Sequence, residues 1–176
     1  DFGQKAYNFE LKSTDSKILS LNDVKGENGT LIMFICNHCP YVKAIINDLV
    51  EDCKNLKLDG INSVAIMSND TKNYPDDSFD KMAEFAKNNK FEDLVYLIDE
   101  TQEIAKGYEA VCTPDFFGYN KNLELQYRGR IRELRNLKPV REGDSDLKLA
   151  MKMIAKTQKG PEEQIPSMGC NIKWIK

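Results

Sequence analysis

An α/β fold built on a parallel β–α–β unit is predicted by three features of the sequence. Thr30-Leu31-Ile32-Met33-Phe34-Ile35 is an apolar run of strand length. From about Tyr41 to Leu58, residues Val42, Ile45, Ile46, Leu49, Cys53 and Leu56 recur at helical spacing, and Gly60 stops that helix. Ile61 to Met67 is a second buried strand, so the two strands should run parallel with a right-handed crossover.

The bulk properties narrow the function. A chain of 176 residues with 41% hydrophobic content can hold one domain with a substantial core, without metal or disulfide staples. A net charge of −3 gives no general attraction to nucleic acid or anionic membrane, so neither is an expected partner. The longest apolar run is far short of a bilayer span, and no secretory signal is visible. Five cysteines is an odd number, and the chain is too large to need a disulfide framework, which reads as a reducing, cytoplasmic compartment. The alternative is an exported protein whose signal has been removed.

The remaining elements follow in chain order. Residues 1–29 form an N-terminal extension. In it Phe9 and Leu11, then Ile18 and Leu19, flank Thr14-Asp15-Ser16 as in a β-hairpin, and Ser20 to Val24 is a helical turn. Ser68 to Asp77 is a polar loop containing Tyr74-Pro75. Ser78 caps a second helix with Phe79, Met82, Phe85 and Ala86 inward, and Leu94–Ile98 is a third strand. Asp99 reads as the N-cap of a helix from about Glu100 to Tyr108, with Gln102 completing a capping box. Cys112-Thr113-Pro114 leads into strands 115–119 and 123–127, paired as a hairpin about Asn120-Lys121-Asn122. Asp146 opens a last helix with Leu147, Ala150, Met151 and Ile154 on one face. The tail, 160–176, is too apolar for a frayed end, and Met168, Ile172 and Trp174 should pack on the domain.

The chemistry is concentrated in Cys36-Asn37-His38-Cys39. A CxxC motif at a strand-to-helix junction is a redox motif. Unpaired N–H groups and the helix dipole favour a thiolate there, which makes Cys36 the expected attacking thiol with the lower pKa. Cys39, one turn on, closes a disulfide with it. A cationic His38 favours thiolate over disulfide and makes the pair more oxidising, while Pro40 suits the first helical turn. A structural zinc would need two more ligands, and His38 is the only histidine, which also weakens a copper-carrier reading. No metal and no cofactor are therefore expected. Cys53 reads as a small buried hydrophobe without a role. Cys112 is either a small residue filling a tight loop or a third redox thiol. Arg128, Arg130, Arg132 and Arg135, with Glu133 among them, read as a solvated face.

Five stretches, 34–44 (FICNHCPYVKA), 99–105 (DETQEIA), 112–117 (CTPDFF), 127–130 (YRGR) and 166–174 (PSMGCNIKW), resemble in order the peroxiredoxin-like branch of the thioredoxin-like redoxins. That group holds the alkyl hydroperoxide reductases and thiol-specific antioxidants. The resemblance implies a thioredoxin fold carrying a redoxin-type helix–strand insertion at 78–98. It implies the strand order 94–98, 62–67, 31–36, 115–119, 123–127, with the fourth strand antiparallel to the third. It also implies a cis Thr113–Pro114 bond facing the CxxC, where the backbone before the proline can pair with a substrate chain. Only a few residues should then precede Asp1.

The function so implied is thiol–disulfide oxidoreduction by Cys36, Cys39 and His38, with a protein or small-molecule disulfide or thiol as partner. An alternative is a thiol peroxidase acting on a hydroperoxide, with Cys39 in the peroxidatic position of a Pro-x-x-x-Thr-x-x-Cys pattern. The chain departs from that pattern, since Ile32 replaces the proline, Cys36 the threonine, and Pro114-Asp115 stands where a second arginine would lie. A redox-sensing binding module is the third reading. The tail is also expected to carry Cys170 to the Cys112 or Cys36 side as a further thiol, which requires Cα atoms within about 7 Å. On the sequence alone, His38→Pro is expected to make the pair more reducing, read as the midpoint potential against a glutathione buffer.

Overall fold

The computed structural model describes residues 2–176. Strands β1 (Glu10–Ser13) and β2 (Ile18–Ser20) form the N-terminal hairpin, followed by the helical turn α1 (Leu21–Val24). Ser20 closes a capping box on α1: its hydroxyl accepts from Asp23 N, and the Asp23 carboxylate accepts from Ser20 N. Next come β3 (Gly29–Phe34), α2 (Pro40–Leu58) and β4 (Ile61–Met67), the predicted β–α–β unit. A 3₁₀ turn at Pro75–Asp77 leads into α3 (Phe79–Asn88) and β5 (Leu94–Ile98), the helix and strand expected over 78–98. Then follow α4 (Glu103–Tyr108), β6 (Cys112–Thr113), β7 (Asp115–Asn120) and β8 (Leu125–Gly129). The chain continues through β9 (Leu134–Arg135), β10 (Lys138–Pro139), α5 (Asp146–Thr157) and β11 (Cys170–Asn171).

The main sheet has seven strands in the order β2-β1-β5-β4-β3-β7-β8. The predicted order of the five inner strands is present, with β7 antiparallel to β3 and the N-terminal hairpin added along β5. This is the thioredoxin fold. Side chains of β3 alternate between two cores, as the pleat requires. Leu31 and Met33 pack with Leu49, Met82 and Met151 on the face of α2, α3 and α5. Ile32 and Phe34 pack with Leu21, Ile104 and Tyr108 on the face of α1 and α4. No helix among the described residues is long and apolar enough to cross a membrane.

Several local expectations are corrected. β3 ends at Phe34, and after one more bond, Ile35 N to Ile66 O, the chain leaves the sheet before Cys36. β8 starts at Leu125 because the Asn120 side chain accepts from both Asn122 N and Glu124 N, which lengthens the turn through Leu123 in the left-handed region. The N-cap of α4 is Gln102, not Asp99. Asp99 still serves the helix end, since its buried carboxylate accepts from Ile104 N and Ala105 N and from the Ser68 hydroxyl. The arginines are not simply solvated. Arg128 pairs with Asp115, tying β8 to β7, while Arg130 with Asp146 and Arg132 with Asp48 tie the segment after β8 to α5 and α2; Arg135 is exposed. In the tail, Ile172 enters the core, Trp174 is partly covered, and Met168 stays exposed.

Asp52 lies on the inner face of α2, only 4% exposed, and accepts from the Ser145 hydroxyl at 2.6 Å. Burial pushes its carboxyl up to about 6, against the hydrogen bond from Ser145. The folded state therefore binds the proton more tightly than the unfolded state. This group costs nothing below the unfolded value near 3.8, and its penalty grows as pH rises to about 6. Asp52→Asn, whose amide oxygen can still accept from Ser145, is expected to raise stability at pH 7.5 by roughly 1–3 kcal/mol and to have little effect at pH 4. Urea unfolding at the two pH values checks this.

Candidate active site

Helix α2 begins at Pro40, with Cys39 as its extended N-cap residue. A proline in the first position loses an N–H that had no partner anyway. The next amides are free to act on the sulfurs: that of Tyr41 favours charge on Cys170, and that of Val42 on Cys39. Cys36 and Cys39 are each 1% exposed. The Thr113–Pro114 bond is cis and faces them. Cys36 Sγ lies 3.6 Å from Thr113 Oγ1, and Cys39 Sγ lies 3.4 Å from Thr113 O.

The contact between the two sulfurs lowers one thiol and raises the other. The Cys39 thiol is held well below the ordinary range, first by the hydrogen bond from Cys36, then by the thiol and amide of Cys170 and the Val42 amide, against burial. The Cys36 thiol is pushed up by donating to Cys39, by burial and by the nearby negative Asp77. The contact between the two sulfurs is the main cause, with the start of the helix aiding Cys39 and burial and the Asp77 carboxylate acting against Cys36.

That carboxylate organises the loop. Asp77 is fully buried. Its Oδ1 accepts from Asn37 N at 2.8 Å and its Oδ2 from Asn69 Nδ2 at 2.9 Å. His38 Nδ1 lies 2.7 Å from Oδ2, at ion-pair distance but off the line of a hydrogen bond. Asn37 is further held by Tyr96, whose hydroxyl donates to Asn37 Oδ1 at 2.8 Å, and it donates to Asp76 O. His38 stacks on Tyr74, with ring centroids 6.2 Å apart. Sequence reading saw residues 68–77 only as a polar loop; Asn37, Asn69, Asp77 and Tyr96 carried no signal beyond polar residues next to an apolar run.

The tail completes the site. β11 pairs antiparallel with β6, Cys170 opposite Thr113 and Asn171 opposite Cys112. A Cβ on Gly169 would lie 2.1 Å from Thr113 O, so only glycine permits this approach. Cys170 Sγ thereby comes to 2.8 Å from Cys39 Sγ. The tail thus runs beside Cys112 and meets the CxxC motif at Cys39, because β6 sets the register. Cys112 turns away, its thiol donating to Pro114 O at 3.6 Å and pushed up to about 12, chiefly by burial. Cys53 is fully buried and likewise pushed up to about 12. A groove of about 390 Å³ opens beside the sulfurs, between Tyr41, Pro114, Ile131 and Met168.

One group among the described residues has the composition of a cation site: ligand atoms of Cys36, His38 and Asp77 lie within 4.8 Å of one another. Both oxygens of Asp77 are already engaged by Asn37, Asn69 and His38, which gives the group a structural task.

Residues 2–134 match the model of the AhpC/TSA family. The chain belongs to the AhpC/TSA family. An uncharacterized conserved protein from Geobacillus kaustophilus is 39% identical, with a TM-score of 0.94 over 99% of this chain and 93% of that one. A hypothetical protein from Sinorhizobium meliloti 1021 is 32% identical, with a TM-score of 0.91 over 99% and 95%. An exposed lipoprotein thioredoxin from Streptococcus pneumoniae strain TIGR4, 20% identical with a TM-score of 0.61 over 85% and 98%, shares the fold. Among curated proteins no match is found.

Because the buried charge of Asp77 acts on Cys36, Asp77→Asn is expected to make Cys36 more acidic. In a Cys39→Ser background its alkylation at pH 8 should rise about tenfold, the effect of one pKa unit. His38→Ala, which removes the ring lying against the carboxylate, should slow the same reaction.

Proposed function

We propose that this AhpC/TSA-family protein is a thiol–disulfide oxidoreductase that cycles Cys36 and Cys39 between dithiol and disulfide. The observation that carries the reading is the placement of both sulfurs at the start of α2 against Thr113 and its cis bond to Pro114, with Cys39 held acidic. The thiolate is the reacting form in exchange, and an acidic thiol is also the better leaving group. In the reducing direction Cys39 attacks a disulfide sulfur and expels one thiolate. Cys36 then attacks Cys39 Sγ, its proton passing to the second departing thiolate. Two thiols are oxidised and one external disulfide is reduced. Thr113 and Pro114 shape the approach to Cys39, and His38 screens Cys36 from Asp77.

The acidic Cys39 also favours a second reading, a thiol peroxidase, because that residue stands in the peroxidatic position. Cationic help for a peroxide is weak, however. Arg128 is held by Asp115 and Glu109 O, with its guanidinium 4.6 Å from the Phe117 ring centre, and Arg130 is held by Asp146. Stopped-flow oxidation by hydrogen peroxide, run beside turnover of a small disulfide, separates the readings. Fast disulfide exchange with slow peroxide oxidation is expected, and Cys39→Ser should abolish the exchange. Fast peroxide oxidation with slow exchange would make the protein a peroxidase, and slow reaction with both a redox-sensing module.

A further inference from the structure

A buried pair poses a problem for any exchange reaction. Cys36 and Cys39 are each 1% exposed, and the segment covering them is the chain's own tail. The tail is fixed on both sides of Cys170. Before it, Arg130 N donates to Ile165 O and the Ser167 hydroxyl to Pro114 O at 2.6 Å. After it, Ile172 N donates to Val111 O, Lys173 N to Asn69 Oδ1 and Ile175 N to Gln102 Oε1. Asp70 N and Gln102 Nε2 both donate to Lys173 O. Asn69 also donates to Asp77, so the tail and the CxxC loop share one network. Cys170 itself is half-buried, the solvent-side member of the three sulfurs.

We propose that Cys170 is the exchange cysteine of this protein, relaying disulfides between the enclosed Cys36–Cys39 pair and thiols in solution through a Cys39–Cys170 disulfide. The proposal rests on the thiol–disulfide reading given above. Starting from oxidised Cys36–Cys39, the Cys170 sulfur attacks Cys39 Sγ. The Cys39–Cys170 bond forms, the Cys36–Cys39 bond breaks, and the proton of Cys170 passes to Cys36. A low-molecular-weight thiolate then attacks Cys170 Sγ, and Cys39 leaves as thiolate. A second external thiolate attacks the external sulfur of the mixed disulfide, releasing an external disulfide and restoring Cys170, which takes up a proton. Two external thiols are oxidised and the Cys36–Cys39 disulfide is reduced. The environments suit these parts: Cys36 holds a proton firmly, Cys39 is the best leaving group, and Cys170 is pushed up to about 11 by burial and by its bond to Cys39. That last value makes Cys170 a strong nucleophile once deprotonated.

Two measurements test the relay. In Cys36→Ser, treatment with oxidised glutathione should give one intramolecular disulfide, and peptide mass mapping should join Cys39 to Cys170. In stopped flow, reduction of the oxidised parent by glutathione should be roughly tenfold or more faster than reduction of oxidised Cys170→Ser. Equal rates would overturn the proposal. A faster Cys170→Ser would overturn it too, making the tail a cover only. So would a Cys36→Ser product that carries glutathione on Cys39 with no internal link, or one joined through Cys112. A parent that exchanges normally while Cys170→Ser matches it removes the relay alone; a parent that does not exchange with any thiol or disulfide removes the thiol–disulfide reading with it.

Discussion

The contact of the Cys36 and Cys39 sulfurs at the start of α2 governs the chemistry of the site. Pro40 occupies the first helical position, so the unpaired amides of the first turn are those of Tyr41 and Val42. These two groups point at sulfur, one at Cys170 and one at Cys39. A start one turn earlier would have given them to Cys36. The positive end of a helix 19 residues long thus favours charge on the second cysteine of the motif and leaves the first to hold its proton. The sharp exit of the chain from β3 after Ile35 makes this placement possible, and the bonds from Asn37 to Asp76, Asp77 and Tyr96 hold it.

The insertion between β4 and β5 is therefore more than an addition to the sheet. Its 3₁₀ turn brings Asp76 and Asp77 to the CxxC loop, and its strand brings Tyr96 beneath Asn37. A buried carboxylate is costly unless its oxygens are satisfied, and Asp77 is satisfied from the loop and from Asn69. The negative charge so retained adds to the contact with Cys39 and the burial that raise Cys36. One residue in this way both positions the motif and acts on its first thiol.

The fold and the motif were legible because they rest on periodic signals. Leu31 to Phe34 and the face of Val42 to Leu56 each serve a core, and hydrophobic spacing reports that directly. Ser20 and Ser78 announce helix starts through side-chain chemistry that is local in sequence. Gln102 deceived the reading because its amide is spent on distant partners, Ser68 O and Lys173 O, rather than on the helix it precedes. Asp77 was invisible for the same reason, since all its partners at the site lie elsewhere in the chain. Which sulfur meets Cys170 was not legible, because it depends on the register of β11 against β6, two-residue strands with no pattern of their own.

The contact between Cys39 and Cys170 joins residues 131 positions apart, and the tail that makes it lies outside the main sheet. Its hold on the domain comes from single hydrogen bonds spaced along an extended segment and from the one buried side chain of Ile172. Such a segment opens as a unit of its own, at a free energy below that of unfolding the sheet. The sulfur cluster thus has a stability separate from that of the fold. Conditions that loosen the last residues leave a folded protein with a two-sulfur site, and the Tyr41 amide then loses its sulfur neighbour.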